Sequence, residues 1–95
     1  MWCFHNGDYV KAADLRISPF DHGYLYGLGV FETLRTYDGV PFLWHEHFTR
    51  MEQALAAYHI ALPYTEEQLR DVIMELNVRS GGDDGYFRIN VSAGE

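Results

Sequence analysis

The chain has 95 residues, 47% of them hydrophobic and 22% charged, a composition typical of one small folded domain. Its formal net charge is −7, with only seven lysines and arginines, which excludes a nucleic-acid-binding surface because such surfaces need clustered basic residues. A single cysteine, Cys3, cannot form an internal disulfide, and no apolar stretch approaches the length of a membrane span, so we predict a cytoplasmic protein without a membrane partner.

The start of the chain predicts a β-hairpin. Two short aromatic and apolar runs flank Asn6 and Gly7, and this pair favours a type I′ turn, in which both central residues have positive φ. Residues 11–21 contain Ser18-Pro19, which disfavours helix at the serine, so we predict an irregular segment there. A glycine-rich stretch, residues 20–42, overlaps its end.

Residues 30–37, VFETLRTY, predict a strand because β-branched and aromatic side chains dominate them. Asp38-Gly39 predicts a second two-residue turn, with Tyr37 opposite Val40 and Arg35 opposite Phe42. Pro41 cannot donate a ladder hydrogen bond, so the strand after the turn is predicted either at a sheet edge or with its Pro41 side unpaired. A period of two places Phe31, Thr33, Arg35 and Tyr37 on one face of the long strand, and Val30, Glu32, Leu34 and Thr36 on the other.

Two amphipathic helices and a strand are predicted after the second turn. The apolar residues at helical spacing are Phe48, Met51, Leu55 and Tyr58 or His59 in the first helix, and Leu69, Val72, Ile73 and Leu76 in the second. Thr65 and Gln68 resemble a capping box at the start of the second helix, and Gly81-Gly82 marks its end. The final run YFRINVSAG alternates as a strand with one apolar face.

Gly27-Leu28-Gly29 raises the question of a dinucleotide-binding loop. Such a loop opens a helix, so that the phosphates meet the helix N-terminus. The residues that follow Gly29 alternate as a strand, and a third glycine is missing. We therefore interpret these glycines and Gly23 as positions for tight turns and close backbone approach.

No metal site and no nucleophile arrangement is predicted. His45 and His47 are two residues apart, which directs them to different faces of a helix, and a role at the helix start is favoured over ligation. None of the three serines has glycines both two residues before it and two residues after it, as a nucleophile turn requires.

Two arginines are candidate anion-binding residues. Arg50 lies one turn beyond His47, near the start of a helix, where its guanidinium is either a solvated charge or a two-pronged donor to a phosphate. Arg35 shares a strand face with Phe31 and Tyr37, where it either reaches for water or meets an anion. The residues by themselves indicate a small α+β domain with a strand face that is a candidate for anion binding, and they go no further.

The run ISPFDHGYLYGLGVFETLRTYDGVPFLWHEHFTRM, together with the closing RINVSAG, resembles the class IV (fold type IV) pyridoxal-phosphate enzymes. This family includes branched-chain aminotransferases, D-amino-acid aminotransferases and 4-amino-4-deoxychorismate lyases, and the motifs are most similar to those of the lyases. The resemblance covers nearly the whole chain. It implies an α+β fold, the small N-terminal domain of the D-amino-acid aminotransferase-like fold, in which two helices pack on an antiparallel sheet.

The resemblance also implies the roles of four residues. Arg50, in the motif His-x-x-Arg, would bind the phosphate of pyridoxal 5′-phosphate. Phe31, Thr33 and Arg35 would face the substrate, with Arg35 attracting a carboxylate. Glu32, on the opposite face of the strand, is expected to be structural.

A catalytic residue is not expected within these 95 residues. The chemistry needs a lysine that binds the coenzyme and a carboxylate that keeps the pyridine nitrogen protonated, and in the family both lie in a C-terminal domain. Lys11, the one lysine present, matches no catalytic position. We expect residues 1–95 to be the N-terminal small domain, inactive alone.

The implied function is that of a PLP-dependent lyase that converts 4-amino-4-deoxychorismate into 4-aminobenzoate and pyruvate for folate synthesis, as a cytoplasmic homodimer acting on a small molecule. A branched-chain or D-amino-acid aminotransferase is the alternative within the family. A non-catalytic, stand-alone binding module is the alternative outside it.

Overall fold

The computed structural model describes all 95 residues, which form two antiparallel sheets and three α-helices. None of the helices has the length and apolar character needed to cross a membrane. A single 3-10 turn, Ala12–Asp14, follows the first hairpin. The elements in chain order are β1 (Trp2–His5), β2 (Asp8–Lys11), α1 (His22–Tyr26), β3 (Gly29–Tyr37), β4 (Val40–Pro41), α2 (Trp44–Ala57), α3 (Glu66–Arg79) and β5 (Tyr86–Ser92).

Both predicted two-residue turns are confirmed. Strands β1 and β2 pair through Asn6 and Gly7, with φ of 47° and 99°. Strands β3 and β4 pair through Asp38 and Gly39, with φ of 52° and 75°. Positive φ at both central residues is the condition for a type I′ turn, whose twist matches that of the strands it joins.

Strand β3 is the centre of the second sheet, whose order is β4-β3-β5. The predicted register is confirmed, because Tyr37 lies opposite Val40, and the Phe42 amide donates to the Arg35 carbonyl at 2.8 Å. Strand β4, with Pro41, is at the edge as predicted. It pairs with β3 only at Thr36 and Tyr37, so the earlier part of that edge of β3 is not covered by a strand.

The glycine-rich stretch contains a short helix that the sequence analysis did not predict. Helix α1 begins after Asp21, whose carboxylate accepts from the Gly23 amide at 2.7 Å, and ends at Gly27 in the left-handed conformation, with φ of 67°. A Cβ on Gly29 would lie 2.8 Å from the Val91 carbonyl oxygen. The turn at Gly27 and the close backbone approach at Gly29 confirm that these glycines serve tight turns and close packing. The chain continues into strand β3 after Gly29, as predicted.

The hydrophobic core lies between β3 and the two long helices. The predicted core positions of α2 are confirmed except at Tyr58 and His59, which lie beyond the end of the helix. In α3, Leu69 and Ile73 are buried, Val72 and Leu76 are only half-buried, and the third buried residue is Asn77. The capping box of Thr65 and Gln68 is present as predicted. The fully packed apolar residues are Leu34, Trp44, Phe48, Met51, Leu55, Leu69 and Ile73.

Candidate functional site

The candidate site is an open groove between β3 and α2, with a volume of about 340 Å³. Its walls are residues 30–33 of β3, with Arg50 and Ala54 of α2. No residue of β5 lines it, because β5 occupies the opposite edge of β3. The groove therefore lies along the edge that β4 leaves uncovered.

Backbone groups contribute to the groove as well as side chains. The Thr36 amide donates to Gly85, and the Leu28 carbonyl accepts from Ala93, so even-numbered residues direct their backbone groups toward β5. Successive residues of a strand alternate in this direction. Phe31 and Thr33 consequently present their N–H and C=O groups to the uncovered edge.

The loop between β4 and α2 sets the position of Arg50. Leu43 adopts the left-handed conformation, with φ of 54°, immediately before α2 begins at Trp44. This conformation is uncommon for a residue with a bulky side chain. The chain changes direction at Leu43, so that α2 lies across the face of β3 that carries Glu32. His47 and Arg50, one turn apart on α2, therefore lie over that carboxylate.

Glu32, His47 and Arg50 form a hydrogen-bonded cluster, and Glu32 and Arg50 of this cluster line the groove. The Glu32 side chain is 7% exposed, and its Oε1 lies 2.7 Å from His47 Nδ1. The Arg50 guanidinium donates through Nε to Glu32 Oε2 at 3.3 Å and through Nη2 to Oε1. Because a carboxylate with these partners only accepts, His47 Nδ1 carries the proton that it donates to Glu32.

The cluster changes the proton affinity of both charged members. The hydrogen bond from Arg50 lowers the pKa of Glu32, and it outweighs the opposing effect of burial. The hydrogen bond to Glu32 in turn raises the pKa of Arg50. Glu32 is therefore ionised and Arg50 charged at neutral pH.

The opposite face of β3 is open and carries aromatic and basic side chains. Phe31 is 58% exposed, and the guanidinium of Arg88 lies 4.1 Å from the centre of its ring. Arg35 lies 5.2 Å from the ring centre of Tyr86, its partner on β5. Both contacts have the geometry of cation–π interactions.

The structure brings three of the four predicted site residues together. Arg50, Phe31 and Thr33 line the groove, with Arg50 approaching from the buried side of the sheet and Phe31 from the open side. Arg35 lies on the same open face as Phe31 but outside the groove.

Three residues of this region were not predicted as functional from the sequence. Glu32 and His47 form the cluster with Arg50, and the signal for them was a charged residue between Val30 and Leu34 on one strand face, together with a histidine three residues before Arg50. Arg88 stacks on Phe31, and it belongs to the polar set of β5 in the predicted alternation. His45 lies away from this cluster, where its Nδ1 contacts Glu66 Oε1 at 2.8 Å, and this contact raises the pKa of His45.

Comparison with known proteins identifies the family. Residues 29–95 match the family described as amino-transferase class IV. The chain is 40% identical to a putative branched-chain-amino-acid aminotransferase of Methanocaldococcus jannaschii, over 99% of this chain and 33% of that protein. It is 42% identical to an aminodeoxychorismate lyase of Bacillus subtilis, over 94% of this chain and 31% of that protein.

Solved structures share the fold. The chain superposes on a hypothetical aminotransferase of Mycobacterium tuberculosis, described as a PLP-bound form, with a TM-score of 0.82 at 26% identity, covering 95% of this chain and 32% of that one. Its TM-score to the branched-chain amino acid aminotransferase of Escherichia coli is 0.87 at 24% identity, covering 95% and 32%. This confirms the predicted α+β fold.

The chain spans about a third of the length of the curated relatives it matches. The family match covers most of the chain, and the sequence motifs, the fold and the relatives agree on the same family. The chain therefore belongs to the class IV aminotransferases, a family of pyridoxal-phosphate-dependent enzymes.

Proposed function

We propose that this chain forms the phosphate-binding wall of a PLP-dependent enzyme, with Arg50 as the residue that holds the phosphate. The observation that carries the proposal is the Arg50 guanidinium, which lies at the groove and is held in one orientation by a buried carboxylate. A solvated surface arginine has no such fixed orientation.

The residues present fit a phosphate group. Glu32 engages Nε and one N–H of Nη2, which leaves three of the five guanidinium N–H groups for an anion. The N–H groups of Phe31 and Thr33 face the same edge and can serve as additional donors. A planar guanidinium with a free pair of N–H groups is the usual partner of a phosphate.

The open face of β3 is proposed as part of the substrate pocket. Phe31 and Thr33 form the wall where the groove meets that face, and Arg35 lies further along it. In this proposal Arg35 attracts a substrate carboxylate, while the exposed aromatic rings exclude water from one side of the substrate.

Bound PLP supplies a carbonyl that condenses with amines and a pyridine ring that accepts electrons. The lysine and the carboxylate that this chemistry needs are proposed to lie in a second, C-terminal domain of the full-length protein. Lys11 lies 5.8 Å from the ring centre of Trp2, in the first hairpin, and no residue of that hairpin lines the groove.

Arg50→Ala tests the phosphate assignment. In the full-length protein we expect the variant to bind pyridoxal phosphate at least tenfold more weakly, because it loses a charge-assisted, two-pronged contact. Binding of pyridoxal, which lacks the phosphate, should change little. Arg70→Ala, on α3, removes the same charge away from the groove and serves as the control. Equal affinity of the Arg50 variant and the wild type for pyridoxal phosphate would contradict the assignment.

The specific activity proposed is that of an aminodeoxychorismate lyase, which yields 4-aminobenzoate and pyruvate. The supporting observations are the motif set and the 42% identity to the Bacillus subtilis lyase. Incubation of the full-length protein with 4-amino-4-deoxychorismate should release both products in equal amounts. Failure to form 4-aminobenzoate would remove this activity from consideration.

An aminotransferase acting on branched-chain or D-amino acids is the second candidate. It is supported by the 40% identity to the Methanocaldococcus jannaschii protein, and a D-alanine aminotransferase of Staphylococcus haemolyticus is 37% identical over 83% of the chain and 29% of that protein. Transfer of an amino group to 2-oxoglutarate, measured as glutamate formation, distinguishes it from the lyase.

A stand-alone binding module is the candidate from another class. Mass spectrometry of the natural protein separates it from the enzyme, since a two-domain enzyme of this kind is expected at roughly 250–300 residues. For the enzyme we propose a cytoplasmic homodimer, which size-exclusion chromatography with light scattering would test.

A further inference from the structure

We propose that Glu32 is a positioning residue, which orients the Arg50 guanidinium so that its remaining N–H groups face the groove. This inference rests on the proposed function of Arg50 as the phosphate-binding residue. It assigns a role to a carboxylate that strand periodicity alone would treat as structural.

The position of Glu32 is costly for a carboxylate. It lies on the face of β3 that packs against α2, between Val30 and the buried Leu34, and its side chain is 7% exposed. Burial of an ionised group is unfavourable unless charged and hydrogen-bonding partners compensate for the lost water. An apolar side chain would pack on this face without that cost, so simple packing does not account for a glutamate.

The geometry explains what the carboxylate does. Arg50 is 69% exposed, and an exposed arginine ordinarily samples many rotamers. Here Nε and Nη2 bind the two oxygens of one carboxylate, which fixes the plane of the guanidinium. The edge of the guanidinium opposite Glu32, with both N–H groups of Nη1, then remains available at the groove.

His47 holds the carboxylate itself in place. Its Nδ1 donates to Glu32 Oε1 at 2.7 Å, and its side chain is 19% exposed. The 3.4 Å approach of Arg50 Nη2 to the same nitrogen is not a second hydrogen bond, because that nitrogen already carries a proton. Glu32 is thus fixed by His47 on one side and fixes Arg50 on the other.

A competing role for Glu32 predicts the opposite effect on binding. If Glu32 served only to neutralise Arg50, its negative charge would weaken the attraction of the groove for a phosphate, and its removal would strengthen binding. If Glu32 positions Arg50, its removal weakens binding even though the site becomes more positive. The sign of the change in affinity therefore distinguishes the two roles.

The experiment measures the dissociation constants of pyridoxal phosphate and pyridoxal for the full-length protein and its Glu32→Gln and Glu32→Asp variants. We expect Glu32→Gln to bind pyridoxal phosphate about tenfold more weakly, as for a misplaced charged hydrogen bond, with pyridoxal little affected. Glu32→Asp, which keeps the charge on a shorter side chain, should recover part of the loss. Glu75→Gln breaks the Glu75–Arg79 ion pair on α3 with the same change in net charge, and it should leave both constants unchanged.

A second measurement does not require a bound ligand or a folded variant. In the wild-type protein, the Nε–H signal of Arg50 in ¹⁵N NMR should exchange with water more slowly than that of Arg70, which forms no ion pair in the structure. Equal exchange rates for the two arginines would overturn the inference, and so would unchanged or tighter binding of pyridoxal phosphate by Glu32→Gln.

Different results would contradict the proposed function of Arg50 and the positioning role of Glu32. If Arg50→Ala leaves the affinity for pyridoxal phosphate unchanged, the proposed function is wrong, and the exchange rate of Arg50 still reports whether Glu32 orients it. If Arg50→Ala weakens binding but Glu32→Gln does not, only the positioning role is wrong.

Discussion

The two faces of β3 use the same strand in opposite ways. The face toward the helices carries Glu32, Leu34 and Thr36, all buried, and each polar group on it has a hydrogen-bond partner. The other face carries exposed aromatic and basic side chains, such as Phe31 and Arg35, whose contacts are cation–π stacks. The first face contributes most to stability and also holds Arg50 at the groove through Glu32, and the second is proposed to face the substrate. Apart from Glu32, substitutions on the first face should mainly change stability, and substitutions on the second should change stability little.

The largest difference in the free energy of unfolding is expected between truncations of one apolar side chain on each face. Leu34 is 3% exposed in the core, so Leu34→Ala should lower the free energy of unfolding by about 2–5 kcal/mol. Phe31→Ala removes a larger side chain, but we expect a loss of about 1 kcal/mol or less because Phe31 is mostly exposed. Urea denaturation of both variants measures the difference. Similar losses would show that the open face also contributes to the core.

A smaller difference in the free energy of unfolding is expected between two asparagines, one buried against the helix-facing side of β3 and one on the open face. Asn77 is 2% exposed, and its Oδ1 accepts from the Thr36 hydroxyl at 2.7 Å. Asn77→Ala should cost about 1–3 kcal/mol, because it leaves a buried hydroxyl without an acceptor. Asn90, which accepts from Arg88 at 2.9 Å on the open face, is the matched control, with an expected change within about 0.5 kcal/mol. The same denaturation experiment would contradict this prediction if the two losses were equal.

Acid should weaken the buried face through Glu32. Since the folded-state pKa of Glu32 is lowered by Arg50, its stabilising contribution is complete above the ordinary glutamate pKa of about 4.3 and is lost as pH falls through the folded-state value. Glu32→Gln should have a shallower loss of stability over this acidic range. Asp21, whose pKa is lowered by the Ser92 hydroxyl, is present in both proteins, so the difference between their curves isolates Glu32. Parallel curves from denaturation at a series of pH values would contradict the prediction.

The local patterns of the sequence predicted most of the fold. Features that depend only on neighbouring residues are all confirmed. They are the Asn-Gly turn, the Asp-Gly turn, the alternation along β3 and β5, and the Thr65–Gln68 capping box. Helix α1 was not predicted because its five residues are too few to establish a helical period. Asn77 took the core position expected for Leu76 because Thr36, 41 residues earlier, supplies a buried partner.

The candidate site was predictable only in part, because local patterns do not reveal contacts between residues that are far apart in the sequence. Strand periodicity placed Phe31, Thr33 and Arg35 on one face, and family resemblance singled out Arg50. The link between Glu32 and Arg50 depends on how α2 crosses β3, which is set by the left-handed conformation of Leu43. Leucine rarely adopts this conformation, so its side chain gives no signal for it. The contact that orients Arg50 therefore becomes visible only in three dimensions.

The smallest effect on stability is expected for Arg35 on the open face. Its cation–π contact with Tyr86 is exposed, so Arg35→Ala should change the free energy of unfolding by about 1 kcal/mol or less. If Arg35 attracts a substrate carboxylate as proposed, the same variant should raise the KM of the full-length enzyme by about tenfold, because it removes a charged hydrogen-bond donor. Arg88→Ala, on the same face over Phe31, provides a comparison with the neighbouring guanidinium. A KM that is unchanged in Arg35→Ala and raised in Arg88→Ala would move the proposed carboxylate contact from Arg35 to Arg88, while the contact would stay on the open face of β3.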